Sequence, residues 1–282
     1  MFNRVIMKKK SELLAEKVHF LKHIPNLLTI CNSLCGFAAI LLLLPISKET
    51  TTPEAIHLFV ICSVLIFSAM IFDVFDGFAA RLLNAVSLHG IQMDSLSDMV
   101  TFGMTPAVLV AAASRCFFNW DMTVYQHIYV YLLCSVYIGG AALRLATYNV
   151  NATLKTKSSD NFSGLPSPGG AAAICVAIFF LYANGGLTEG KNLQYAAWIL
   201  PAYSAVLGLL MNSSIPYIHA GKWLMSIRRN RKKLPLVVFM IAVVAVFRVN
   251  GLTFLTLAYL LSGPVMLIFD KIFRKKQNVV EK

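Results

Sequence analysis

Four aspartates, Asp73, Asp76, Asp94 and Asp98, fall within one stretch, DVFDGFAARLLNAVSLHGIQMDSLSD, of a 282-residue chain that holds only 13 acidic residues. Long apolar runs flank the stretch on both sides. Asp73 and Asp76 are three apart, and Asp94 and Asp98 four apart, so each pair shares one face of a helix. Carboxylates gathered in a medium of low dielectric repel one another and lose hydration, and they do not all stay ionised unaided. Protonation relieves the repulsion, as in a proton relay. A divalent cation relieves it better, because hard carboxylate oxygens suit Mg²⁺ or Mn²⁺. Solvated acids at helix ends would account for a single Asp, not for two helically spaced pairs.

The elements that position these acids are membrane helices. Hydrophobic residues make up 57% of the chain and charged residues 13%, and the mean hydropathy is +0.68; a soluble domain is nearer one quarter charged. Apolar runs predict about eight spans, roughly 26–46, 55–82, 92–114, 125–148, 168–184, 194–212, 234–248 and 251–269. The second is longer than a span needs and projects beyond the membrane. Alternation of period two is absent, so the expected fold is an all-α integral membrane bundle. The first run has no A-x-A-like cleavage site and follows a polar stretch, so it is not a signal peptide. Residues 11–24 place Leu13, Leu14, Val18 and Leu21 near helical spacing, which predicts an amphipathic helix lying on the membrane.

Charge gives the orientation. With both termini inside, every Lys and Arg except Lys48, Arg115, Lys191 and Arg248 lies on the cytoplasmic side. The acidic stretch then faces the cytoplasm. The net charge of +12 reads as topology and attraction to anionic membrane lipids. No soluble basic domain is present to bind nucleic acid. The six cysteines are scattered and lack histidines at zinc-site spacing, so they read as buried thiols.

Asn84, Ser87 and Gly90 supply turn residues between the two acid-bearing helices, and a short connection predicts that those helices are antiparallel neighbours. Gly77 and Ala80 adjoin the acid face. A glycine inside a helix costs about 1 kcal/mol against alanine, to be offset by tight helix packing or by close approach of a flat ligand. Arg81 follows at the interface, where it snorkels or grips phosphate.

The pattern Asp73-x-x-Asp76-Gly77-x-x-Ala80-Arg81, eight residues, Gly90-x-x-x-Asp94-x-x-x-Asp98 resembles the complete signature of the CDP-alcohol phosphotransferases. That resemblance implies a membrane enzyme moving a phosphatidyl or similar group from a CDP-linked donor to an alcohol, with release of CMP. It implies that Asp73, Asp76 and Asp94 hold one or two divalent ions on the donor pyrophosphate. It further implies that Asp98 sits near the metal and takes the proton of the attacking hydroxyl, and that Gly77 and Ala80 make room for cytidine with Gly90 close by. A homodimer is implied by the family alone. The resemblance covers the first six spans, which gives a basic juxtamembrane segment over 1–25, a six-helix core over 26–212, and a C-terminal segment over 213–282 with a basic loop and two further helices.

The stretches IPNLLTICNSLCGFAAI, GGAALRLATYN and FSGLPSPGGAAA resemble those of bacterial membrane-bound phosphatidylserine synthases. On that resemblance the donor is CDP-diacylglycerol, the acceptor L-serine, and the location the cytoplasmic (inner) membrane. A zwitterionic acceptor needs a cation for its carboxylate, and Arg144 suits bidentate pairing; its alternative is snorkelling to lipid phosphate. Tyr148 and Asn149 supply polar contacts to serine or cap their helix. Ser167 contacts substrate or caps the fifth span, and Asn26 reaches the donor phosphates or caps the first. Acceptors such as glycerol 3-phosphate, inositol phosphate or choline remain open. So does a divalent-cation transporter, although transporter sites tend to lie at mid-bilayer in broken helices.

Overall fold

A computed structural model describes residues 23–85, 87–153, 164–183, 190–217 and 234–280. The expected interfacial helix, the Lys155/Lys157 pair and the RRNRKK loop lie outside the described residues. The described chain is helical: α1 Ile24–Leu43, α2 Thr52–Leu82, α3 Leu88–Asp98, a π turn at Met99–Met104, α4 Thr105–Phe117, α5 Val124–Thr153, α6 Ser167–Ala183, α7 Gly190–Met211 and α8 Leu234–Val280.

Helix limits follow local chemistry. Thr51 and Glu54 form a reciprocal capping box that opens α2. At its far end Asn84 takes a left-handed φ of 49° and Ala85 N–H bonds back to the Ala80 carbonyl at 2.9 Å, which stops the helix. Ser87 then caps α3 by accepting from Gly90 N–H at 3.0 Å. Gly90 therefore lies in the first turn of α3 and not in the connection.

Among the described residues, six helical segments are long and apolar enough to cross a bilayer by length and composition. The expectation of about eight spans is not met on that criterion. α6 has only 17 residues, and the last two expected spans are two helices that meet at a kink at Arg248, where φ 50° and ψ −123° are not helical. α2, at 31 residues, is about 46 Å long at 1.5 Å per residue, against a hydrocarbon core of about 30 Å. It overshoots the core as expected.

The core gathers Phe59, Ile66, Phe102, Leu109, Tyr137 and Ile174, all fully buried. α1 runs along α2 and also packs on α3 and the π turn, whereas α2 and α3 scarcely touch. The two acid-bearing helices are neighbours through their acidic side chains, and α1 backs both. α1 approaches the π turn closely at Gly36, where a β-carbon would stand 2.5 Å from Thr101 Oγ1 and 2.8 Å from its α-carbon.

Candidate active site

The aspartates reach into the gap between α2 and α3. One carboxylate oxygen from each of Asp73, Asp76 and Asp94 lies within 4.8 Å of the others. Asp98, one turn beyond Asp94 on α3, is buried and within electrostatic range of Asp73, Asp94 and Asp76.

α1 holds two of the carboxylates from behind. Thr29 Oγ1 donates to Asp76 Oδ2 at 2.7 Å, and Asn32 Nδ2 donates to Asp98 Oδ1 at 3.1 Å. The backbone of α1 is tied to the acid-bearing segment in turn. Ser97 Oγ donates to the Thr29 carbonyl at 2.8 Å, Thr101 Oγ1 to that of Asn32 at 3.0 Å, and Thr105 Oγ1 to that of Gly36 at 3.1 Å. Sequence reading missed Thr29 and Asn32 as site residues. Their signal is a polar stripe, Thr29, Asn32 and Gly36, on one face of an otherwise apolar helix.

The π turn sets the rotation of α3 relative to α4. Thr105 N–H bonds to Val100 O, five residues back. Pro106 has no N–H to give the Phe102 carbonyl, and the buried Tyr137 hydroxyl supplies that donor at 2.8 Å. Such turns often mark functional sites.

The residues fit a divalent ion on two counts. The ligands on offer are carboxylate oxygens, the donors preferred by Mg²⁺ and Mn²⁺. Asp94 Oδ1 is buried and has no hydrogen-bond partner among the described residues, a condition that costs about 1–3 kcal/mol unless a cation or other group compensates.

The other expected residues divide between two places. A β-carbon on Gly77 would meet nothing among the described residues nearer than Arg81 Nη2 at 3.7 Å, which favours the flat-ligand alternative over tight helix packing. Ala80 is half-buried one turn on, and exposed Arg81 donates from Nε to the Gly77 carbonyl at 3.1 Å. Asn26 lies in the first turn of α1 with its Oδ1 3.8 Å from the β-carbon position of Gly90. It makes no helix cap. Tyr148 stands within electrostatic range of Asp94, Asp73, Asp98 and Arg81. Asn149 Oδ1 accepts from Ser95 Oγ at 2.7 Å. α5 continues to Thr153, so neither Tyr148 nor Asn149 caps it. Arg144 faces the end of α7, where Nη1 donates to the Met211 carbonyl at 3.2 Å. Ser167 is buried as the first residue of α6.

The family described as CDP-alcohol phosphatidyltransferase matches this chain over residues 22–269, a range that runs past residue 212 into α8. The chain is 33% identical over 196 residues to the archaetidylserine synthase of Methanothermobacter thermautotrophicus, covering 69% of this chain and 69% of that protein. It is 31% identical over 203 residues to the CDP-diacylglycerol–serine O-phosphatidyltransferase of Bacillus subtilis, covering 72% and 93%. Identity to the protein of the same name from Helicobacter pylori is 30% over 215 residues, covering 75% and 81%.

Proposed function

The chain belongs to the CDP-alcohol phosphatidyltransferase family, and from that premise we propose that it transfers the phosphatidyl group of CDP-diacylglycerol to the hydroxyl of L-serine, giving phosphatidylserine and CMP. The observation that carries this reading is the convergence of Asp73, Asp76 and Asp94 in a gap between two membrane helices. Relatives from three organisms, one named for archaetidylserine and two for CDP-diacylglycerol and serine, have serine in common, which supports serine as the acceptor.

Asp73, Asp76 and Asp94 would hold one or two Mg²⁺ or Mn²⁺ ions, with Asp98 alongside. When bound, the metal supplies charge neutralisation for the donor pyrophosphate. Asp98, held at one oxygen by Asn32, takes the proton of the serine hydroxyl as general base. The open flank at Gly77 and Ala80 admits cytidine, and Arg81, Asn26 and Gly90 border the donor at the membrane surface. Arg144 receives the serine carboxylate, since a guanidinium carries five N–H donors and the Met211 carbonyl occupies one. Tyr148, Asn149 and Ser167 complete the acceptor side.

The protein is a multi-pass membrane protein. We place the site and both termini on the cytoplasmic side of the inner membrane, from the distribution of basic residues, and expect a homodimer on family grounds. The six-helix core over 26–212 carries the chemistry.

The test is product identification by mass spectrometry with purified protein, CDP-diacylglycerol and serine, beside glycerol 3-phosphate, inositol phosphate and choline. Serine-dependent phosphatidylserine and CMP are expected. Product with another alcohol alone would replace serine as the acceptor, and Mn²⁺ uptake into vesicles without CMP release would favour a transporter.

A further inference from the structure

Arg144 is fastened to the segment that leads to the C-terminal helix. Met211, whose carbonyl accepts from Arg144 Nη1 at 3.2 Å, is the last residue of α7. Carbonyls at a helix end lack intrahelical partners, and a cation there is favoured by the helix dipole. Beyond Met211 the chain runs beside Gly164 and Leu165. Gly164 N–H donates to the Ile215 carbonyl at 2.8 Å, and Leu165 N–H to the Leu210 carbonyl at 3.0 Å. Gly164 has φ +91°, and a β-carbon there would stand 3.1 Å from Arg144 Nη1. Arg144, Gly164–Leu165 and residues 210–215 therefore form one hydrogen-bonded unit.

Tyr217 docks that unit on α8. It is 6% exposed, and its hydroxyl donates to the Leu260 carbonyl at 3.1 Å. Gly263 lies flat on its ring: a β-carbon would come 2.6 Å from Tyr217 Cζ and 2.8 Å from Ile215 Cγ2. Tyr259, with its ring centroid 5.8 Å from that of Tyr217, is an electrostatic neighbour of Arg144. Its ring edge also faces Gly169 of α6, at 3.4 Å from the β-carbon position.

We propose that the C-terminal helix is a strut for the acceptor side of the site, with Tyr217 as a positioning residue that holds residues 211–215, and through the Met211 carbonyl Arg144, in register with the substrate. This rests on the reading that Arg144 receives the serine carboxylate. Paired, planar hydrogen bonds between guanidinium and carboxylate demand orientation as well as proximity, and a displacement of about 1 Å suffices to lose most of the benefit. The strut therefore governs the affinity for serine, while the donor and the aspartates, held by α1, α2 and α3, are untouched by it.

The test uses full-length protein with two substitutions, Gly263→Val and the milder Tyr217→Phe. The valine has no room beside the Tyr217 ring and pushes α8 off it, whereas Tyr217→Phe removes only the bond to Leu260. The expected result is a serine KM raised about tenfold by Gly263→Val and about threefold by Tyr217→Phe, the scale of losing oriented or single hydrogen bonds. Turnover number and KM for CDP-diacylglycerol stay within about twofold. A wild-type serine KM in Tyr217→Phe overturns the proposal, as does an equal fall in turnover at saturating serine with both substrate KM values unchanged. Should Gly263→Val fail to fold, Tyr217→Phe decides alone. Wild-type protein that releases CMP without any dependence on serine would overturn the acceptor reading itself, before either variant is measured.

Discussion

Asn32→Leu separates the chemistry of the site from its metal. Asn32 is fully buried, its Nδ2 donates to Asp98 Oδ1 at 3.1 Å, and its own Oδ1 has no partner among the described residues. An orphaned buried acceptor costs about 1–3 kcal/mol, so its removal by leucine, of similar size, offsets much of the cost of leaving Asp98 Oδ1 without its donor, and the fold survives. The bond from Thr101 to the Asn32 backbone carbonyl at 3.0 Å survives the change. What is lost is one hydrogen bond to a charged carboxylate, about 1.5–3 kcal/mol. Expressed wholly in the positioning of the base, that loss lowers the turnover number roughly 10- to 100-fold. Thr29→Val is the counterpart, because it removes the 2.7 Å bond to Asp76, an expected metal ligand. It should raise the half-saturating Mn²⁺ concentration and spare turnover at saturating metal. CMP release measured across serine and Mn²⁺ concentrations distinguishes the two effects. Turnover within about twofold of wild type in Asn32→Leu, or the same parameter shifted by both variants, would refute the assignment of α1 as the support of both carboxylates.

Asp98→Asn should reduce CMP release to background while metal-dependent binding of CDP-diacylglycerol persists in a direct binding assay. Gly77→Ala should raise the thermal unfolding midpoint, because alanine gains about 1 kcal/mol in a helix and meets nothing nearer than 3.7 Å; the same change should raise the KM for the donor by narrowing the cytidine flank. Arg144→Ala should raise the KM for serine far more than that for the donor, read from initial rates with each substrate varied in turn.

Much of the site was legible because acids are rare in this chain and fall at helical spacing. Asp73, Asp76 and Asp94 converge as their positions suggest, and the expected spans coincide closely with α1 to α7 because apolar length alone marks them. Which helices touch was not legible. The short connection from Leu83 to Ser87 makes α2 and α3 neighbours but does not reveal that α1 packs on both. Tertiary packing decided this, with Gly36 allowing the close approach. Thr29 and Asn32 were passed over because lone polar residues in an apolar helix have no meaning until their partners, 47 and 66 residues away, are known. The π turn was hidden for a similar reason: Pro106 signals a missing donor, but the substitute comes from Tyr137 on another helix. Composition also separates the last two expected spans near Arg248, and the backbone leaves helical geometry there.

The central claim, that the aspartate gap is a dication site, is tested most directly by an anomalous difference map from crystals of the protein grown with Mn²⁺. The account predicts a peak bounded by Asp73, Asp76 and Asp94, within about 2.3 Å of their carboxylate oxygens, and its loss in Asp94→Asn. Carboxylates found hydrogen-bonded to protein groups with no manganese between them at saturating concentration would contradict it.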